Sequence, residues 1–164
     1  MPGNPPLKIS IIGHTKSLGK ALYGFFNNDH VVGFSRSNGY DIKSPFDRKK
    51  IIRESQDSDI LINLVHNYYH QTDVLYEFYK NWEDKEKLII NISSAVIDDS
   101  DWGIDRLDYL EYKNQKLALE SMALLLSKRK AKVQIRNYRI SEINFEEDCK
   151  NLNSIIDEFR LHKK

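Results

Sequence analysis

Lys8–Tyr23, KISIIGHTKSLGKALY, is the stretch on which the reading of the chain turns. An apolar run from Ile9 to Ile12 breaks at Gly13 and resumes at Leu18 with helical spacing, which predicts strand, tight turn and helix. Gly13 lets the backbone turn sharply at the end of a parallel strand, and Gly19 lets the helix lie close to it. The N-terminus of such a helix can present its N–H groups to a phosphate. The spacing Gly13, Ser17, Gly19 has the shape of a dinucleotide loop with its middle glycine replaced. Strand-glycine-helix junctions also serve ordinary α/β packing, so the rest of the chain has to decide.

Outward from that stretch, strands and helices alternate. After a proline-rich tail (1–6) come a strand at about 7–12, a helix at 17–27, a strand at 31–35 and a short third strand at 40–42. Ser44-Pro45 caps and begins a helix through about Ser55. The nearly all-apolar ILINLV (60–65) reads as a strand with both faces covered. It is followed by an aromatic helix at 68–82, a buried strand at 88–92, a long helix at 105–129, a strand at 133–138 and a last helix at 151–162. This order predicts a single α/β domain over 1–164: a three-layer, Rossmann-like, doubly wound parallel sheet of about six strands in the order 3-2-1-4-5-6. Ligands in that architecture sit at the carboxyl ends of the strands. The unusual polar segments Gly13–Gly19, Ser35-Arg36, Asn63–Asn67 and Ser93-Ser94 all fall there.

Composition excludes several classes of function. Lys+Arg 25 against Asp+Glu 24 gives a net charge of +1, so no global field favours nucleic acid or an anionic membrane. The basic cluster Lys128, Arg129, Lys130, Lys132 suits the C-terminal end of a helix dipole. A single cysteine, Cys149, excludes an intrachain disulfide and a cysteine-rich zinc site. His66 and His70 could share a helix face, yet no third ligand accompanies them, and no metal is expected. MPGNPPLK lacks the apolar core of a signal peptide and no run reaches membrane-spanning length, so a cytoplasmic protein is expected.

At the end of the second strand, where an acidic residue would bond the ribose 2′-hydroxyl of NAD, the chain has Ser35-Arg36, with Lys16 facing it from the glycine turn. Two cations there suit the 2′-phosphate of NADP(H); the alternative is two solvated surface charges. Carbonyl reduction needs an acid, and a tyrosine serves if a cation one helical turn away lowers its pKa. Tyr-x-x-x-Lys occurs at Tyr76/Lys80, Tyr109/Lys113 and Tyr112/Lys116. The first lies deep in a helix, far from the strand ends; the other two begin the helix that follows Ser93-Ser94. Core and interface packing is the better account of the aromatic residues at 68–82.

In this order of motifs the chain resembles the short-chain dehydrogenase/reductase family, over residues 7 to about 143. Gly13-His14-Thr15-Lys16-Ser17-Leu18-Gly19 is similar to its glycine loop, Asn63-Leu64-Val65-His66 stands where the family has Asn-Asn-Ala-Gly, and Asn91-Ile92-Ser93-Ser94 ends a strand as its serine motif does. Tyr112-Lys113-Asn114-Gln115-Lys116-Leu117-Ala118 resembles its catalytic helix and selects Tyr112/Lys116. The resemblance implies that Tyr112 is the general acid/base, that Lys116 lowers its pKa and holds the nicotinamide ribose, and that Ser94 polarises the substrate oxygen. Asn67 is the candidate for the fourth catalytic residue. The cofactor contacts it implies are Gly13, Thr15, Lys16, Ser17, Leu18 and Gly19 in the loop, Ser35 and Arg36 at the phosphate, Asp41-Ile42 at the adenine, and Asn63.

The chain departs from the family at Ser17, at three of the four positions 63–66, and at Ile140-Ser141 in place of Pro-Gly. It has no seventh strand, and residues 142–150 offer only a minimal lid. The expectation is a compact, truncated NADPH-dependent reductase of a small carbonyl compound, a homodimer or homotetramer through the helices at 68–82 and 105–129. The alternative is a dinucleotide-binding or regulatory relative without chemistry.

Overall fold

The computed structural model describes residues 6–27, 29–141 and 144–163. The expected tail, apart from Pro6, lies outside them. Five strands, β1 (Lys8–Ile12), β2 (His30–Phe34), β3 (Ile60–Asn63), β4 (Leu88–Ser94) and β5 (Gln134–Ile140), form one sheet in the order β2-β1-β3-β4-β5. All four pairings are parallel, with Ile12 opposite both Phe34 and Asn63, and Asn63 opposite Asn91. The helices are α1 (Ser17–Phe25), α2 (Pro45–Glu54), α3 (His70–Trp82), α4 (Leu107–Ser127) and α5 (Phe145–His162).

Alternation along the strands builds the two outer layers. Ile9, Ile11, Ile60, Ile62 and Ile90 join Leu18 and Leu22 of α1 and Leu152 and Ile156 of α5 in one cluster. Ile12, Leu61 and Ile89 join Ile51 of α2, Phe78 and Trp82 of α3 and Leu119 of α4 in the other. Both faces of the central strands are covered, which is why ILIN and LIIN carry no period-two pattern. The result is the expected three-layer, doubly wound α/β architecture.

The third strand expected at 40–42 does not form. β2 ends at Phe34 and α2 begins at Pro45. The residues between cannot supply the dozen or more that a parallel crossover needs. Instead Tyr40 packs edge-on against Phe34, with centroids 4.9 Å apart, and Asp41 N donates to Asp47 Oδ2 at 3.0 Å. Ser44 then caps α2 by accepting from Asp47 N at 3.2 Å. Removing that strand and renumbering turns 3-2-1-4-5-6 into the observed order.

Two helix ends also differ. α5 begins at Phe145, not near Asn151, because Asn144 caps it by accepting from Glu147 N and three acidic residues fill its first turn. Of the minimal lid expected at 142–150, residues 145–150 are therefore helix, and 142 and 143 lie outside the described residues. α3 starts at His70 because Tyr68 takes a left-handed φ of 49°. His66 stays in the preceding loop, so His66 and His70 do not share a helix face.

Candidate active site

The chain crosses over between β1 and β3, and their carboxyl ends open into a cavity of about 400 Å³. Gly13 turns out of β1 with φ 102°, and a Cβ there would come within 2.6 Å of Val65 Cγ2. A Cβ on Gly19 would overlap the Gly13 carbonyl oxygen, so this glycine is what allows α1 to sit against the turn. Ser17, in the place of the middle glycine, adopts φ 51°, the left-handed region that favours glycine.

Thr15, Lys16 and Ser17 line one wall of this groove, and Ser35, Arg36, Asp41 and Ile42 another. Lys16 and Arg36 are exposed and enter no salt bridge among the described residues. Ser37 and Tyr40, which sequence reasoning did not single out, line it too. Leu18 and Gly19 are buried behind the groove and do not line it. Nor does Asn63, which is wholly buried. Its amide nitrogen donates to the Gln71 carbonyl and to Asn91 Oδ1, each at 3.0 Å, and Asn91 donates to Asn137 Oδ1 at 3.1 Å. An asparagine ladder thus ties β3, β4 and β5 at one level, a use of the three asparagines visible only once strand register is known.

A second cavity, of about 380 Å³, opens beside the first and includes His66, Asn67, Tyr112 and Gln115. Ser94 ends β4, is 9% exposed, and its Oγ accepts from Val96 N at 3.3 Å. Burial holds the Tyr112 phenol above its ordinary pKa, against a smaller opposing pull from the Ser94 side chain. Lys116, 4% exposed, lies with Nζ 5.7 Å from the centre of the Tyr112 ring. The structure thus brings Ser94, Tyr112 and Lys116 together. Asn67 borders both cavities, and its backbone carbonyl accepts from His70 N.

The lysine does not act on the phenol as expected in this arrangement. Its ammonium donates to Gln71 Oε1 at 2.8 Å and to the Ile92 carbonyl at 3.2 Å. Burial pulls its pKa down to about 8, against an opposing pull from Glu120. Gln71, which sequence reasoning missed, is oriented by chemistry: its amide nitrogen donates to the carbonyls of Asn63 (2.8 Å) and Ile92 (2.9 Å), so its oxygen is left facing Lys116. The signal available in the sequence was a glutamine in the first turn of α3, too common to single out.

The other Tyr-x-x-x-Lys pairs are engaged elsewhere. Tyr109 stacks on Trp102 at 5.0 Å with Arg106 over its ring at 3.8 Å, while Lys113 donates to the Asp99 carbonyl. Tyr76 is 43% exposed, with Lys80 lying over its ring.

No family model matches the sequence, and no curated protein is similar to it. Solved structures are. A short-chain dehydrogenase from Burkholderia cenocepacia in complex with NADP superposes with a TM-score of 0.72 at 13% identity, over 92% of this chain and 84% of that one. The chain has the fold of the short-chain dehydrogenases. A small-chain dehydrogenase shares this fold with a TM-score of 0.71 at 13% identity, over 93% of this chain and 90% of that one. So does the 3-alpha-hydroxysteroid dehydrogenase of a Pseudomonas species complexed with NADH, with a TM-score of 0.63 at 13% identity over 82% and 72%. Identities this low speak for the fold alone. Among the described residues no helix is long and apolar enough to cross a membrane.

Proposed function

We propose that the chain is a reductase of the short-chain dehydrogenase/reductase type that uses NADP(H) and acts on a small carbonyl compound in the cytoplasm. The observation that carries the reading is the meeting of Ser94, Tyr112 and Lys116 at the strand ends beside a glycine-turn groove. The residues present fit the adenosine half of such a cofactor: Gly13 and Thr15 to Ser17 would cradle its phosphates, and Lys16 and Arg36, free of ion pairs among the described residues, would meet its 2′-phosphate. When bound, the nicotinamide supplies hydride to the carbonyl carbon. Tyr112 keeps its proton at neutral pH because its phenol sits above the ordinary value, and it donates that proton from Oη to the substrate oxygen. Ser94 bonds the same oxygen and polarises it. Leu117, Leu124 and Leu125 remain exposed on α4, which supports pairing of two copies through α3 and α4.

The test is titration with NADPH and NADH, followed by a screen of aldehydes and ketones. NADPH is expected to bind, and Tyr112→Phe to lower turnover by about 10²–10⁴-fold while leaving NADPH binding intact. Turnover that survives Tyr112→Phe removes the mechanism. Ser17 supports a second reading, a dinucleotide-binding regulatory protein without chemistry, since a left-handed serine crowds the turn that would hold the pyrophosphate. NADPH binding with no turnover of any carbonyl decides for it.

A further inference from the structure

The sheet has two edges, and the chain treats them differently. At the β2 edge, His30 N donates inward to the Leu7 carbonyl, so the peptide groups of Val31 and Gly33 point outward. Asn38 folds back over that edge, its amide nitrogen donating to the Gly33 carbonyl at 2.9 Å. At the β5 edge, Gln134 N donates inward to the Lys87 carbonyl, so the peptide groups of Ile135, Asn137 and Arg139 point outward. Those outward groups have no hydrogen-bond partner among the described residues.

The devices that guard an exposed edge are absent from β5 or engaged elsewhere. The strand is seven residues long, contains no proline, and keeps register with β4 from Gln134 to Ile140 without a bulge. Both of its arginines are tied back to their own chain: Arg136 to Glu158 at 3.0 Å, and Arg139 to Glu120 at 2.8 Å and Asp98 at 2.7 Å. Beside the edge runs a groove of about 490 Å³ between β5 and α4, lined by Leu117 and Leu124, which are 43% and 59% exposed.

We infer that the occupant of this edge is a second copy of the chain, whose β5 pairs antiparallel with the first to make one continuous sheet. The strand is self-complementary in the register that uses all of its outward residues. Asn137 then faces the partner's Asn137 and Ile135 faces the partner's Arg139, each facing pair exchanging two hydrogen bonds. Arg136 falls opposite the partner's Tyr138, so no arginine faces an arginine. The helix layer closes at the same time. α4 packs over both β4 and β5. With strands about 4.8 Å apart, its axis stands about 5 Å inside such a junction. Two copies of α4 are then about 10 Å apart, the separation at which helices pack, and Leu117 and Leu124 fill the gap. This narrows the pairing through α3 and α4 proposed above to the β5 side of α4, and it stands independently of the dinucleotide reading.

Sedimentation equilibrium of the wild type, Leu124→Lys and Asn137→Cys tests it. The wild type is expected at twice the 19.3 kDa of one chain. Leu124→Lys changes an exposed position and is expected to weaken association about tenfold, with the circular dichroism of the wild type retained. Asn137→Cys is expected to give a disulfide-linked dimer on mild oxidation, because facing residues of such a pair have Cα atoms about 5.5 Å apart. Cys149 is buried, so the wild type should give none. A monomeric wild type overturns the inference. So does a dimer that Leu124→Lys leaves intact and Asn137→Cys cannot trap, since its contact lies elsewhere. Either failure leaves the reductase reading standing, which NADPH titration tests separately.

Discussion

The two ends of the site are built on opposite principles. At the adenosine end, the glycine turn and the residues after β2 expose their polar groups, and Lys16 and Arg36 meet no counter-ion among the described residues. At the chemical end, the polar groups are buried and bond one another: Lys116 to Gln71 and Ile92, and Gln71 to Asn63 and Ile92. A ligand can settle on the first end without displacing a protein contact. At the second, a ribose that is to bond Lys116 has to compete with a buried carboxamide. On the proposed function, the difference makes affinity and chemistry separable, with affinity resting on the exposed rim and chemistry on rearranging a satisfied network.

The sharpest way to break this comparison is Gln71→Leu. The change removes the acceptor of a nearly buried ammonium and leaves the Asn63 carbonyl short of a donor, at a cost of about 3 kcal/mol in stability. Chemical denaturation of the variant checks it. If Gln71→Leu is as stable as the wild type, the chemical end is not held together by this network. Gln71→Glu sharpens the point, since a carboxylate beside Lys116 would raise the lysine pKa from about 8, readable by NMR of its side chain.

His66 adds a pH signature confined to the chemical end. Its folded pKa is depressed from 6.5 to about 4, so between those values the unfolded chain binds more protons than the folded one. Stability from this group is complete above pH 6.5 and is lost as the pH falls toward 4. With the ring only partly buried, the loss is about 1–2 kcal/mol. Denaturation midpoints measured across that range should show the decline, and His66→Ala should flatten it. At the other end, Arg36→Ala is expected to weaken binding of NADP about tenfold and to leave NAD unchanged, since one charge-assisted contact to an exposed phosphate is removed. Equal weakening of both would mean that Arg36 reads something other than the 2′-phosphate.

How much of this the sequence disclosed follows the same division. The α/β alternation and the glycine turn were legible because each depends on local spacing, and Lys16 and Arg36 were picked out by their places after strands, whereas Ser94 and the choice of Tyr112/Lys116 among three such pairs came from the family resemblance and not from spacing. Fold likeness at 13% identity to solved dehydrogenases shows that the layered architecture survives with few residues in common. The strand expected at 40–42 was refutable from spacing alone, since the turn after β2 is too short for a parallel crossover. Gln71 and the asparagine ladder were not legible. Each depends on which residues of different strands and helices stand at one level, and register leaves no trace in a single sequence.

Ser17 is where the two ends can be tested against each other with the smallest expected effect. Its φ of 51° places a serine in a region that costs an L-residue about 1–2 kcal/mol, while glycine adopts it freely. Glycine loosens the unfolded chain, which takes back about 0.5–1 kcal/mol. Ser17→Gly should therefore stabilise the protein by about 0.5–1 kcal/mol, a rise readable in its denaturation midpoint. If the adenosine end alone sets affinity, the same change should tighten NADP and 2′-phospho-ADP-ribose equally, because the turn touches only the half they share. A gain confined to NADP would mean that strain at the glycine turn reaches the buried network around Tyr112, and the two ends would have to be treated as one.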